Sequence, residues 1–438
     1  IIGDNQRAEQ LVLSMWKTFE DFVSTSEDTT KLLPQSVLYH PPTGLHSEGN
    51  WHNCMMGISY FKLFQATQNT AYRESALKLA NSLFNLNFDN ETKLFNQRTH
   101  TPYWNHATGD ELYDKYVSEG KQKKLAANAM AIIFWSFVQN ETEEQNKQFH
   151  LMTENFLYHF WSQQHKKWKP EASNTKYFRG VDQAIAILAC LRMMKSCSAD
   201  DVQNTRDHKY YLSQIISATR KSLFRDFKLG KSDHKNYIGK QDSIVAWHDL
   251  WMLYAILVSS STATDLKKAK QVYDIFIETH VHNGLVTANK TDPNNPLCYS
   301  NDNFLFYGLL KSFRYFFPDM PFPEQFSLDK CLSTLMAPNS LFFESNQHAF
   351  IALHPQTECL FGLLVDPFDY IREDTIPKMK KHFLKTKGNK RKLDLDDLSN
   401  SDMEASSNYN SASESESSSE LAPRKRPTKK LKIQVDTE

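Results

Sequence analysis

Six times along the chain, a polar residue opens a run that is apolar almost all round. The runs begin near Asn53, Asn128, Gln183, Asp249, Asn303 and Glu358. Their spacings, about 75, 55, 66, 54 and 55 residues, suit helical hairpins joined by loops of variable length. The clearest run follows Gly180, where Asp182 and Gln183 precede Ala184-Ile185-Ala186-Ile187-Leu188-Ala189-Cys190-Leu191. A helix that is apolar on every face is buried on every face. Half-exposed, amphipathic partners follow at about 71–84, 143–163, 208–226, 264–279 and 325–336. The N-terminal helix, 6–23, with Leu11, Met15, Trp16, Phe19 and Phe22 on one face, supplies a partner for the last buried helix. Six inner and six outer helices predict an all-α fold, an (α/α)6 toroid. An open α-solenoid is the competing architecture. Closure is favoured because neither end carries a polar capping repeat.

The toroid is expected to occupy 1–370 and a disordered tail 371–438. The tail is basic over 378–392, rich in Ser, Asp and Glu over 394–420, and basic again at Arg424-Lys425-Arg426-Pro427-Thr428-Lys429-Lys430-Leu431-Lys432. The last block reads as a nuclear localisation signal, with a nuclear import receptor as partner for 424–432. A nuclear or nucleocytoplasmic protein is therefore expected. The alternative is a secreted one whose leader was removed ahead of Ile1, which the sequons at Asn90, Asn140 and Asn289 fit. The formal net charge of zero makes the whole molecule no electrostatic magnet for nucleic acid or membrane. No apolar run approaches the roughly 18 residues of a membrane span. The six cysteines lack CxxC spacing and mostly sit in apolar runs, so they read as buried thiols. No metal site or cofactor is expected.

Inner-to-outer connections are short and outer-to-inner connections long. In a toroid the long loops share one end with the starts of the inner helices, and long loops gather where function is. Aligned there are Trp51-His52-Asn53, Ala126-Ala127-Asn128, Val181-Asp182-Gln183, Trp247-His248-Asp249, Asn301-Asp302-Asn303 and Gln356-Thr357-Glu358, with Tyr103, Trp104, Tyr177 and Tyr299 nearby. Aromatic faces take the C–H face of a pyranose, while amides, carboxylates and imidazoles hydrogen-bond its hydroxyls. A carbohydrate ligand in a central funnel is the expectation. The bland competitor is that the polar residues cap helices and the tryptophans fill the ring.

The paired helices, with Asp and aromatics at the inner starts, resemble the six-hairpin glycosidase superfamily over roughly 5–370. Val181-Asp182-Gln183-Ala184 is similar to the Asp-Asp-Gln-Ala motif of its α-1,6-mannanase-like branch, where adjacent aspartates are acid and nucleophile. Here Val181 stands in place of the first. Leu125-Ala126-Ala127-Asn128-Ala129-Met130 resembles an Asp-Asn-Ala-Met start, with Ala127 in place of the carboxylate. The resemblance implies a glycoside hydrolase working by carboxylate acid–base chemistry. Asp182 and Asp249 are the expected pair, with Asp302, or Asp110 and Glu111, in reserve. Substrate contacts are expected from Trp51, His52, Asn53, Tyr103, Trp104, Asn128, Gln183, Trp247, His248, Tyr299, Asp302 and Asn303. Two other classes stay open. One is a catalytically degenerate sugar-binding or scaffold protein. The other is a sugar isomerase or epimerase with His52 or His248 as base.

Overall fold

Eleven α-helices alternate between an inner and an outer position among the described residues. The computed structural model describes 50–97, 121–173, 178–196, 202–228, 246–288, 296–317, 323, 325–337, 342–343, 345–347, 353–364, 366 and 369–370. It also describes the paired strands 39–40 and 45–46 and the single positions 10, 14 and 17. The inner helices are α1 (Asn50–Thr67), α3 (Leu125–Val138), α5 (Gly180–Ser196), α7 (Ala246–Val258), α9 (Ser300–Phe316) and α11 (Leu353–Leu364). The outer helices are α2 (Thr70–Asn87), α4 (Glu143–Phe160), α6 (Val202–Lys228), α8 (Ala263–His280) and α10 (Leu328–Leu335). Each outer helix packs on the inner helix before it. Each inner helix packs on its two inner neighbours, and α11 packs on α1. The ring is closed, and the chain is an (α/α)6 toroid rather than an open solenoid. Gln10, Ser14 and Lys17 are helical and exposed, as one face of the expected N-terminal helix requires. The described residues all lie in one compact unit, 1–384. The tail expected from 371 lies outside them.

The inner helices bury nearly every side chain, as their all-round apolar sequences demand. Glycine is needed where two of them meet closely. A Cβ at Gly362 would stand 2.7 Å from the Leu305 main chain, and one at Gly57 would stand 2.3 Å from the Phe134 ring. Between inner and outer helices the turns are tight because polar caps close them. Asn69 accepts from Ala71 N–H, Thr142 from Gln145 N–H, and Thr262 forms a capping box with Asp265.

After α2, α4 and α8 the chain makes a two-residue antiparallel ribbon before returning inward. These are β3 (Phe88–Asp89) with β4 (Leu94–Phe95), β5 (Trp161–Ser162) with β6 (Lys167–Trp168), and β7 (Val281–His282) with β8 (Leu285–Val286). The remaining ribbon, β1 (Tyr39–His40) with β2 (Leu45–His46), precedes α1. In the β7–β8 ribbon Asn283 and Gly284 both take positive φ, which an Asn-Gly hairpin turn requires. After α10, Phe342 bridges Met336 in the same manner.

The four segments that follow outer helices are each held by one side-chain amide. Asn128 accepts from the Phe95 N–H at 2.8 Å and donates to its C=O at 3.1 Å. Gln183 grips Trp168 at 2.8 and 2.7 Å. Asn303 grips Val286 at 2.7 and 3.0 Å, and Gln356 grips Phe342 at 2.8 and 2.6 Å. All four amides are the fourth residue of their inner helix. An amide offers one acceptor and one donor group, matching one residue's N–H and C=O. The alignment by sequence put Glu358 in this row. Gln356 occupies it, and Glu358, two residues on, points to another side of α11.

The other end of the ring is tied by the segment after α11. Asp369 pairs with Lys62 of α1, and its carbonyl accepts from Arg192 of α5 at 2.6 Å. Arg192 also donates to Ser136 of α3, at 2.7 Å to Oγ and 3.1 Å to the carbonyl, and lies 3.9 Å over the Phe137 ring. Tyr370 packs edge-on against Tyr254 of α7.

The clamps yield a stability prediction. Gln183→Leu leaves two buried main-chain groups of Trp168 without partners, at about 1–3 kcal/mol each. Urea unfolding should show a loss of about 3 kcal/mol. A loss near zero would rule out the clamp role.

Candidate functional site

The starts of the inner helices lie at one end of the ring, and the described ribbons lead into them there. Trp51 of α1 and Trp247 of α7 come from opposite sides of the ring, since two inner helices separate them in either direction. Their rings nevertheless touch, with centroids 5.9 Å apart. Trp251, one turn further along α7, sits edge-on to both at 5.4 and 6.2 Å and stacks obliquely on Phe361 of α11. Trp251 is fully buried, whereas Trp51 and Trp247 are half-buried. His248 lies against Trp247 at 5.2 Å.

Beside this aromatic cluster three helices bring polar groups together. His52 Nε2 of α1 lies 3.3 Å from the Glu358 carboxylate of α11, whose other oxygen accepts from the Asn301 amide of α9. His52 keeps 19% of its side chain exposed and Glu358 9%. Asp302, next to Asn301, is buried with neither oxygen hydrogen-bonded. Burial, reinforced by the Glu358 carboxylate, pushes Asp302 well above the usual carboxylate range. A carboxyl with a raised pKa thus lies beside the His52–Glu358 contact.

Asp182 is fully buried and doubly bonded by the Arg179 guanidinium, three residues before it; Nη2 lies 2.8 Å from Oδ1 and Nε bonds Oδ2. Burial raises its pKa, opposed by the charge and hydrogen bonds of Arg179. A second pair, Lys124 with Glu171, lies close enough to act on it electrostatically. Asp249 occupies the clamp position of α7, and its Oδ2 meets His280 Nε2 of the outer helix α8 at 3.1 Å. The two aspartates expected to act together are thus engaged by different partners, one by Arg179 and the other by His280. Asn128, Gln183 and Asn303 spend both ends of their amides on main chain. Asn53 is buried at the same helix position. Tyr299 is half-buried and its carbonyl accepts from Asn303. Tyr103, Trp104, Tyr177, Asp110 and Glu111 lie outside the described residues.

The groups missed from sequence are Arg179 and Glu358. An Arg three residues before a helical Asp was a legible signal for the first. Glu358 was hidden by its alignment with the clamps. Among the described residues no group of three or more His, Cys, Asp or Glu is placed to hold a metal ion. No helix among them is long and apolar enough to cross a membrane. Five cysteines, Cys54, Cys190, Cys298, Cys331 and Cys359, are free and buried.

The chain matches no protein-family model and no curated protein. Solved structures do match. A D-mannose isomerase superposes with a TM-score of 0.55 at 10% identity, over 86% of this chain and 97% of that one. The cellobiose 2-epimerase of Spirochaeta thermophila gives 0.53 at 12%, over 86% and 98%. A family 76 glycoside hydrolase from a bovine Bacteroides thetaiotaomicron strain gives 0.51 at 8%, over 82% and 76%. The chain shares with these structures the (α/α)6 toroid fold. Within the six-hairpin fold these neighbours include both hydrolase and isomerase chemistry, and at such identities the likeness is one of architecture.

Asp302 provides a test of the site's electrostatics. A carboxyl raised in the folded state costs nothing at pH below its unfolded pKa of about 3.9, and the cost grows as pH rises from there toward the folded value. Asp302→Asn should therefore raise the melting temperature at pH 7, with the gain shrinking toward zero near pH 4. An equal gain at both pH values would mean that the carboxyl is not raised.

Proposed function

We propose that this chain is a carbohydrate-active protein that moves a proton on a sugar at the His52–Glu358 pair, as a sugar isomerase or epimerase does. The observation that carries the reading is the meeting of His52, Glu358 and Asn301, from three helices, beside the half-buried faces of Trp51 and Trp247. Asn301 and His52 fix the Glu358 carboxylate from two sides. A carboxylate and an imidazole 3.3 Å apart can serve as base and acid, which the movement of a proton on a sugar carbon requires. The indole faces supply the surface on which a sugar ring packs. The names of two fold neighbours, D-mannose isomerase and cellobiose 2-epimerase, agree with this chemistry.

One observation favours glycoside hydrolysis as a second reading. Asp302, whose pKa burial raises, and Glu358, contacted by His52 and Asn301, come from adjacent helices, and a glycosidase needs an acid beside a base. Asp182 and Asp249 support hydrolysis less well, since Arg179 and His280 engage them.

Incubation with D-mannose, D-glucose and cellobiose in D2O separates the readings. Isomerase chemistry places deuterium on the sugar carbon, visible by NMR. His52→Gln and Glu358→Gln should each slow exchange by on the order of a hundredfold or more. Cleavage of a glycoside without exchange, lost in Glu358→Gln, would replace this reading with hydrolysis. Sugar binding with neither reaction would leave a non-catalytic sugar-binding protein.

A further inference from the structure

The Trp51–Trp247 contact spans the ring from α1 to α7 and so divides its mouth. On one side lie α9 and α11, with Asn301, Asp302 and Glu358, and His52 reaches them from α1. On the other lie α3 and α5, where Arg179 holds Asp182 and Lys124 at the start of α3 holds Glu171. In the second half these described charges are spent on one another. The first has a proton-transfer pair with part of its surface open. Centroids 5.9 Å apart place the two indoles in direct contact, inside the 4.5–7 Å range of packed aromatic pairs, which leaves no room for a sugar between them. Trp251 fills the space beneath, against Phe361, so the partition has a floor.

We infer that the Trp51–Trp247 bridge is a size filter: the half holding His52 and Glu358 admits one sugar ring, stacked on an indole face, and keeps further units outside. The inference rests on the reading of the site as a sugar site. A saccharide chain laid across the mouth would have to part the two indoles, and the charged side chains described at the starts of α3 and α5, Lys124 and Asp182, are already paired. The substrate class that fits is a free monosaccharide, or the terminal unit of a short saccharide, rather than an internal stretch of polysaccharide.

The test uses the full chain and isothermal calorimetry. The probes are D-glucose, cellobiose and cellotriose, and D-mannose with its β-1,4-linked di- and trisaccharides. In the wild type, dissociation constants within the binding series should agree to about threefold whatever the length. Trp247→Ala opens the partition and should favour the trisaccharide over the monosaccharide by about tenfold relative to the wild type. Trp51→Leu should act likewise, and Trp247→Phe, which keeps a ring in place, should retain the wild-type profile. Far-UV circular dichroism reports on the aromatic cluster, since the touching indoles of Trp51, Trp247 and Trp251 contribute an exciton signal that either truncation should weaken. Wild-type affinity that climbs about tenfold with each added unit would overturn the filter and leave the sugar site standing. Absence of binding by every probe, with the exciton signal present, would overturn the sugar site and the filter with it.

Discussion

A two-residue strand buried against helices exposes main-chain donors and acceptors that water cannot reach. Leaving them unpaired is costly, and a ribbon this short has no neighbouring strand to supply the partners. The fold meets that constraint with an amide on the fourth residue of the following inner helix, repeated at Asn128, Gln183, Asn303 and Gln356. The grip fixes where the chain re-enters the ring. It also fixes the rotation of those four inner helices about their own axes, and with that which neighbouring residues face the mouth.

The polar residues at the inner starts thus fall into rows with different duties. The fourth residue holds a ribbon. Other positions in the first two turns, such as Trp51, His52, Trp247, Asn301 and Glu358, meet one another across the ring. At α7 the clamp position carries Asp249, and a histidine of the outer helix answers it. There an ionisable pair has replaced the neutral bidentate amide used at four other positions.

The architecture was legible because helical period and burial leave strong traces in sequence. The all-round apolar runs and the amphipathic partners mark the hairpins, with short connections between inner and outer helices. The site was much less legible. One residue along a helix turns a side chain by about 100°, so an alignment of starts mixes rows that face different ways. Asp182 and Asp249 looked alike in the sequence, yet they sit in different rows and hold different partners. Glu358 and Gln356 were two residues apart and took opposite roles. That Trp51 and Trp247 meet could be read only once the ring was known to close and α1 was known to face α7.

The tie at the far end of the ring has a consequence for how the molecule is made. Lys62 and Asp369 are 307 residues apart in the chain, and the ring cannot close until the segment after α11 is available. During synthesis the first hairpin therefore waits, with one flank of α1 uncovered, while nearly all the rest of the toroid is built. Contacts of such long range make folding slow, and exposed apolar flanks make the waiting intermediates prone to aggregate. The closed ring that shapes the mouth is also what makes the nascent chain dependent on protection until α11 and the segment after it arrive.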